Sequence, residues 1–238
     1  MNKFFFVFGL TTLLGATGCE HQPVPEPLIV EETPKPPLYF LALGDSYTIG
    51  QGVAATARFP VQLRTKLTEA GIPVDTLQII AKTGWTTGDL KAAINNATLV
   101  ADTFGLVTLL IGVNNQFRGF ARSDYEVEFA ALLETAIRFA GNRPERVFVL
   151  SIPDYAVTPF GQNRPNPDQI SQEIDAFNAS NRTITENRGV HYFDITPISR
   201  EALNDATLLA SDQLHPSGKM YGRWVDLMLP ILVERLKP

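Results

Sequence analysis

The stretch Leu38 to Gly52, LYFLALGDSYTIGQG, decides the fold. Its apolar run, Leu38 to Leu43, stops at Gly44-Asp45-Ser46. A short apolar run closed by turn residues reads as a buried strand, here the first of the folded domain. In an open α/β sheet, ligands gather just beyond the carboxyl ends of the strands. Ser46 stands at such an end, so its hydroxyl is a candidate nucleophile. A serine hydroxyl is a poor nucleophile at neutral pH unless a base lies within hydrogen-bond reach and a third group orients that base. The plainer reading of Asp45 and Ser46 is a turn that bends the chain, and the rest of the sequence decides between the two.

Working outward, four further apolar runs alternate with helical patterns. Phe59 to Ala70 has helical spacing, with Pro60 in the first turn and Gly71 at the stop. Thr76 to Ala81 reads as a strand ending at Lys82-Thr83-Gly84-Trp85, and Thr86 to Ala97 as a helix. Leu106 to Ile111 is a strand ending at Gly112-Val113-Asn114-Asn115. A long helix capped by Ser123 or Asp124 runs through Ala140. Val147 to Ile152 is a fourth strand, followed by a loop from Ala156 to Pro167 that is expected to border the site. Asp168 to Asn187 reads as a helix and Val190 to Ile195 as a fifth strand. A short helix around Pro197 to Leu203 and a last one from Ser217 to Leu236 complete the chain. Five strands alternating with helices predict parallel βαβ units in a three-layer α/β/α sandwich over residues 38–238. The strand order is not readable from this pattern.

Composition bounds the function. The 238 residues are 45% hydrophobic and 19% charged, enough for one globular domain with a sizeable core. The net charge of −5, with no basic run, argues against nucleic acid as a partner. A single cysteine, Cys19, rules out an intrachain disulfide and a cysteine-based metal site, and the three histidines are not clustered. No metal is expected.

The amino terminus, MNKFFFVFGLTTLLGATGC, sets one basic residue before an apolar stretch and small residues before Cys19. It is too short for a membrane span and has the layout of a secretory signal peptide over residues 1–18. Ala16-Thr17-Gly18-Cys19 resembles the bacterial lipobox, which implies lipidation of Cys19 and an exported protein held at the cell envelope on a membrane surface. Ala16 stands where that pattern prefers leucine. Glu20 to Pro37 holds six of the seventeen prolines and five charged residues; it reads as an extended linker, with His21 solvated.

The chemistry-bearing pattern lies near the carboxyl end, in Ser211-Asp212-Gln213-Leu214-His215-Pro216. Asp and His three apart in a turn can face the same side. The carboxylate then accepts from one imidazole nitrogen and leaves the other for Ser46. His191 sits inside a predicted strand and is a packed or edge residue. Acyl transfer also needs donors for an oxyanion, and three strand ends offer them: the Ser46 N–H, the Gly84 N–H and the Asn114 amide.

The blocks Gly44-Asp45-Ser46, Gly84, Gly112-Val113-Asn114 and Asp212-Gln213-Leu214-His215-Pro216 resemble, in order and approximate spacing, the SGNH/GDSL hydrolase superfamily. That resemblance implies a flavodoxin-like fold, esterase or lipase activity on a small-molecule ester, and no cofactor. It makes Ser46 the nucleophile, His215 the base and Asp212 its orienter, with Ser46, Gly84 and Asn114 as the oxyanion hole. Tyr47 replaces the leucine usual after the serine. Asn115 replaces an aspartate often found there, which puts support of that loop in question. Trp85, Tyr47, Phe117, Tyr155 and Phe160 lie near predicted strand ends and are candidate pocket residues; the alternative for them is ordinary packing.

Three rival readings are weaker. Gly50-Gln51-Gly52-Val53-Ala54-Ala55 matches a dinucleotide fingerprint in the wrong place, beyond the strand-to-helix turn. A two-carboxylate glycosidase built from Asp45, Asp154, Asp194 or Asp212 is chemically possible but leaves Ser46, His215 and Asn114 without roles. A non-catalytic surface-binding lipoprotein on the same fold is the alternative from another class.

Overall fold

The computed structural model describes residues 38–237, together with Met1, Lys3 and Gly9. Cys19, the linker and the rest of the leader lie outside the described residues. Strands β1 (Tyr39–Gly44), β2 (Thr76–Ala81), β3 (Leu106–Leu110), β4 (Val147–Leu150) and β5 (His191–Phe193) form one parallel sheet in the order β2-β1-β3-β4-β5. This is the flavodoxin-like order. β1 and β3 are buried at nearly every position, as expected for central parallel strands covered on both faces.

The helices are α1 (Ser46–Ile49), α2 (Phe59–Glu69), α3 (Thr87–Asn96), α4 (Val113–Phe117), α5 (Arg122–Phe139), α6 (Pro159–Gln162), α7 (Pro167–Glu186), α8 (Thr196–Arg200) and α9 (Gly218–Leu236). Right-handed crossovers set their sides. From β1 the chain steps outward to β2, then returns past β1 to β3 and continues to β5. Because the direction of travel reverses, α2 covers one face and α3, α5 and α7 the other. α2 packs on α9, and α5 on α3 and α7. Phe59, Tyr221 and the fully buried Trp224 fill the first layer. Tyr125, Phe129 and Phe177 fill the second.

The expected elements are present, with shifted ends. The long helix begins at Arg122 with Ala121 at its cap position, so neither Ser123 nor Asp124 caps it; both fall inside its first turn. The fifth strand is only three residues long. His191 lies on it, its ring 4.5 Å from that of Phe193, as a packed edge residue. Three short helices, α1, α4 and α6, were not expected; four or five residues carry too little periodicity to register. Among the described residues, no helix is long and apolar enough to cross a membrane.

Candidate active site

The reversal of direction between β1 and β3 leaves a crevice at their carboxyl ends, the switch point where α/β sheets bind ligands. Ser46, Gly84 and Asn114 follow β1, β2 and β3, the three neighbouring strands. With His215 they line one cleft of about 160 Å³, whose other walls include Phe117, Tyr155, Phe160 and Leu214.

Ser46 is presented by a tight strand-to-helix turn. Asp45 Oδ1 accepts a hydrogen bond from the Tyr47 N–H at 3.0 Å, capping α1 and leaving Ser46 as its first residue. The Ser46 N–H therefore has no acceptor inside the helix. Asp45 is fully buried, and its Oδ2 has no partner among the described residues. Burial pushes its carboxyl up to about 7, against the pull of the Tyr47 N–H.

His215 and Asp212, the base and orienter expected from the sequence, come from the loop before α9. His215 Nδ1 lies 2.7 Å from Asp212 Oδ2, while Asp212 Oδ1 accepts from the Leu214 and His215 N–H groups at 3.1 and 3.0 Å. Burial raises the Asp212 carboxyl pKa, but these donors outweigh it and hold the group below its ordinary value. The turn places Gln213 at φ 58, a conformation that side-chain-bearing residues seldom adopt. The loop is closed by the Leu209–Pro216 bridge and the Ala210 N–H donated to the His215 carbonyl at 2.8 Å. With Nδ1–H donating to the carboxylate, Nε2 is left as the acceptor. The His215 side chain is 12% exposed. The Tyr47 ring meets it edge-on at 5.7 Å between centroids, so the tyrosine that departs from the family pattern packs against the imidazole. No hydrogen bond joins Ser46 to His215 among the described residues; catalytic hydrogen bonds commonly tighten only as the reacting complex forms.

The donor side is knit together across the sheet. Gly84 turns the chain with φ 84 and Gly112 with φ 132, and a Cβ on Gly112 would lie 2.6 Å from the Tyr125 ring. Asn114 Nδ2 donates to the Trp85 carbonyl at 2.9 Å, which consumes one of its two N–H bonds and leaves the other for the cleft. Arg118 donates to the Gly84 carbonyl at 2.6 Å. Asn115 is buried. Its Oδ1 accepts from the Thr87 N–H at 3.1 Å, its Nδ2 donates to Thr87 Oγ1 at 2.6 Å, and Thr87 in turn donates to Glu128. The loop support that the missing aspartate put in question is supplied by this asparagine.

Of the candidate pocket aromatics, Tyr47, Phe117, Tyr155 and Phe160 line the cleft. Trp85 does not; it packs partly buried against the core, and its contribution is the carbonyl that holds Asn114. Thr87, Arg118 and Glu128 were missed, because their bonds join distant segments and leave no local signature. Two of the four carboxylates of the glycosidase reading are engaged elsewhere: Asp154 is buried and paired with Arg200 at 2.9 Å, and Asp212 holds His215. Gly50 and Gly52 lie between α1 and α2, away from the strand-to-helix turn where a dinucleotide loop belongs.

Comparison with known proteins gives the family and the fold. A family model described as GDSL-like lipase/acylhydrolase matches residues 42–223, and the chain belongs to that family. Membership supports ester hydrolysis as the general class of its activity. Sequence comparison with curated proteins finds no significant match. Among solved structures the fold is similar to that of the lipase/acylhydrolase from Enterococcus faecalis, with 20% identity over 84% of this chain and 98% of that one and a TM-score of 0.64. It is also similar to an acetylxylan esterase from Geobacillus stearothermophilus (18% identity, 82% and 94% covered, TM-score 0.63). The psychrotrophic esterase EstA from Pseudoalteromonas sp. is a third (19%, 82% and 97%, TM-score 0.57).

Proposed function

We propose that the protein is a serine esterase that cleaves carboxylic esters through an acyl-enzyme. The single observation that carries this is the 2.7 Å contact of His215 Nδ1 with Asp212, in a ring that borders the same cleft as Ser46 and Asn114. Ser46 Oγ attacks the ester carbonyl carbon while His215 Nε2 takes the hydroxyl proton. The resulting oxyanion is received by the Ser46 and Gly84 N–H groups and by the free N–H of Asn114. His215 then passes its proton to the departing alkoxide oxygen, releasing the alcohol and leaving the acyl group on Ser46. Water enters, gives a proton to His215 and attacks the acyl carbon; as the second tetrahedral intermediate collapses, the bond from the acyl carbon to Ser46 Oγ breaks, His215 returns its proton to that oxygen, and a carboxylic acid is released. Asp212 keeps the tautomer and balances the imidazolium. The cleft, at about 160 Å³, is small beside the roughly 300–1,000 Å³ of drug-sized pockets and suits a short acyl group.

Labelling with a fluorophosphonate tests the assignment. One covalent adduct located on Ser46 by peptide mass analysis is expected, together with loss of p-nitrophenyl butyrate turnover by a factor on the order of 10⁴–10⁶ in Ser46→Ala. Labelling at another residue, or undiminished turnover in that variant, refutes it.

A further inference from the structure

One wall of the cleft carries a cation that the reaction above does not use. Phe117, Tyr155 and Phe160 form a triangle of rings with centroids 6.0, 6.2 and 6.3 Å apart. The Arg164 guanidinium lies over two of them, 5.0 Å from the Phe117 centroid and 5.7 Å from that of Phe160. Stacking on two faces holds a planar guanidinium in place while leaving its in-plane N–H donors open. The backbone beneath it is constrained as well. The Arg164 N–H donates to the Gly161 carbonyl at 2.9 Å, and the next residues are Pro165, Asn166 at φ 55 and Pro167.

Arg164 is exposed, and among the described residues it enters no ion pair. Of the two carboxylates that face the same tyrosine, Tyr155, only Asp154 is paired with a cation among the described residues; Glu173 keeps its charge. Glu173 accepts from Gln116 at 2.7 Å and from Gln169 at 2.8 Å, and Asp154 pairs with Arg200. A second cation close to the cleft, Arg118, is spent on the Gly84 carbonyl and on Asp89. An otherwise apolar aromatic wall thus ends in one positioned positive charge that enters no ion pair among the described residues.

The geometry points to Arg164 on its Phe117–Phe160 platform as an anion subsite, so that the substrate is an ester bearing a carboxylate or phosphate on the side of the molecule that lies along the aromatic wall. The inference rests on the esterase reading and narrows it to a substrate class. The aromatic faces take the apolar span between the ester and the anion; the fork of N–H donors takes the anion itself.

Two matched pairs of esters test it, each pair differing in charge at one end. Monoethyl glutarate against ethyl valerate carries the anion on the acyl side, and 4-acetoxybenzoate against 4-acetoxybenzamide carries it on the alcohol side. In at least one pair the wild-type protein is expected to favour the anionic member in kcat/KM. Arg164→Gln is expected to lower that anionic-to-neutral ratio about tenfold, mainly through KM. Arg164→Lys keeps the charge and should restore part of the ratio, and added salt should erode the wild-type preference because the cation is exposed. A wild-type ratio near one in both pairs overturns the subsite while leaving the esterase intact. So does an equal loss on both members of a pair in Arg164→Gln, which marks a merely structural arginine. Turnover of p-nitrophenyl butyrate but of none of the four esters overturns the subsite alone, and turnover of none of the five overturns the esterase reading with it.

Discussion

On one side of the cleft, Asp212 and His215 are three residues apart, and each hydrogen bond that shapes their turn joins neighbours within the same loop. On the other side, Asn115 reaches across 28 residues to Thr87, and Thr87 across 41 to Glu128. The base side is a local motif that carries its own support. The donor side exists only once two strands and a helix have packed, and in the proposed mechanism it shares its task among three N–H groups from three segments. A local device with one support is sensitive to a single change; a distributed one loses a fraction of its effect at a time.

The largest effect is therefore expected on the base side. In Asp212→Asn the amide presents a donor where His215 Nδ1–H needs an acceptor, favouring the wrong tautomer. A fall in kcat on the order of 10³–10⁴ is expected from steady-state kinetics. A fall below tenfold would mean that the loop orients the imidazole without the carboxylate. Asn114→Ala removes one of the three proposed oxyanion donors and should cost on the order of 10²–10³ in kcat, with KM little changed. Should it cost as much as Asp212→Asn, the donors do not share their load, and the contrast between the two sides collapses.

The smallest effect is expected beneath the nucleophile, at Asp45, and it is a change in stability. Asp45 and Asp212 are opposites: one is buried with too few donors and has its carboxyl pushed up to about 7, the other is well supplied and held low. Between the ordinary value of 3.8 and about 7, the folded protein binds the Asp45 proton more tightly than the unfolded chain does. This group's contribution is therefore fully present below pH 4 and is lost as the pH rises through 7. Relative to Asp45→Asn, which cannot titrate there, the wild type should lose at least about 1 kcal/mol of stability over that range. Thermal or urea melts at intervals from pH 4 to 8 would read it, and a difference between the two proteins that does not vary with pH would place the carboxyl in contact with water.

The same contrast explains what the sequence disclosed. Asp212 and His215 were legible because their spacing within one turn is the geometry itself. Ser46, Gly84 and Asn114 were legible because apolar runs end where turn residues begin, and the ends of parallel strands share one edge of the sheet. Strand order was not legible, since a period of alternating elements does not record which strands become neighbours. Thr87 read only as part of a helix start, and nothing marks Glu128 as its acceptor 41 residues on. Arg164 was hidden for the same reason: its platform joins Phe117, 47 positions earlier in the chain, with Phe160 in a short helix whose pattern is too brief to read.

The reversal of travel after β2 has a last consequence. The opening above the sheet owes its existence to the order in which strands were laid down, and no side chain has to be trimmed to make room for it. Residues around its rim are thus free to drift without threatening the scaffold. A lineage of such proteins can exchange one clientele of esters for another by altering a few rim positions, while the strands beneath stay as they were.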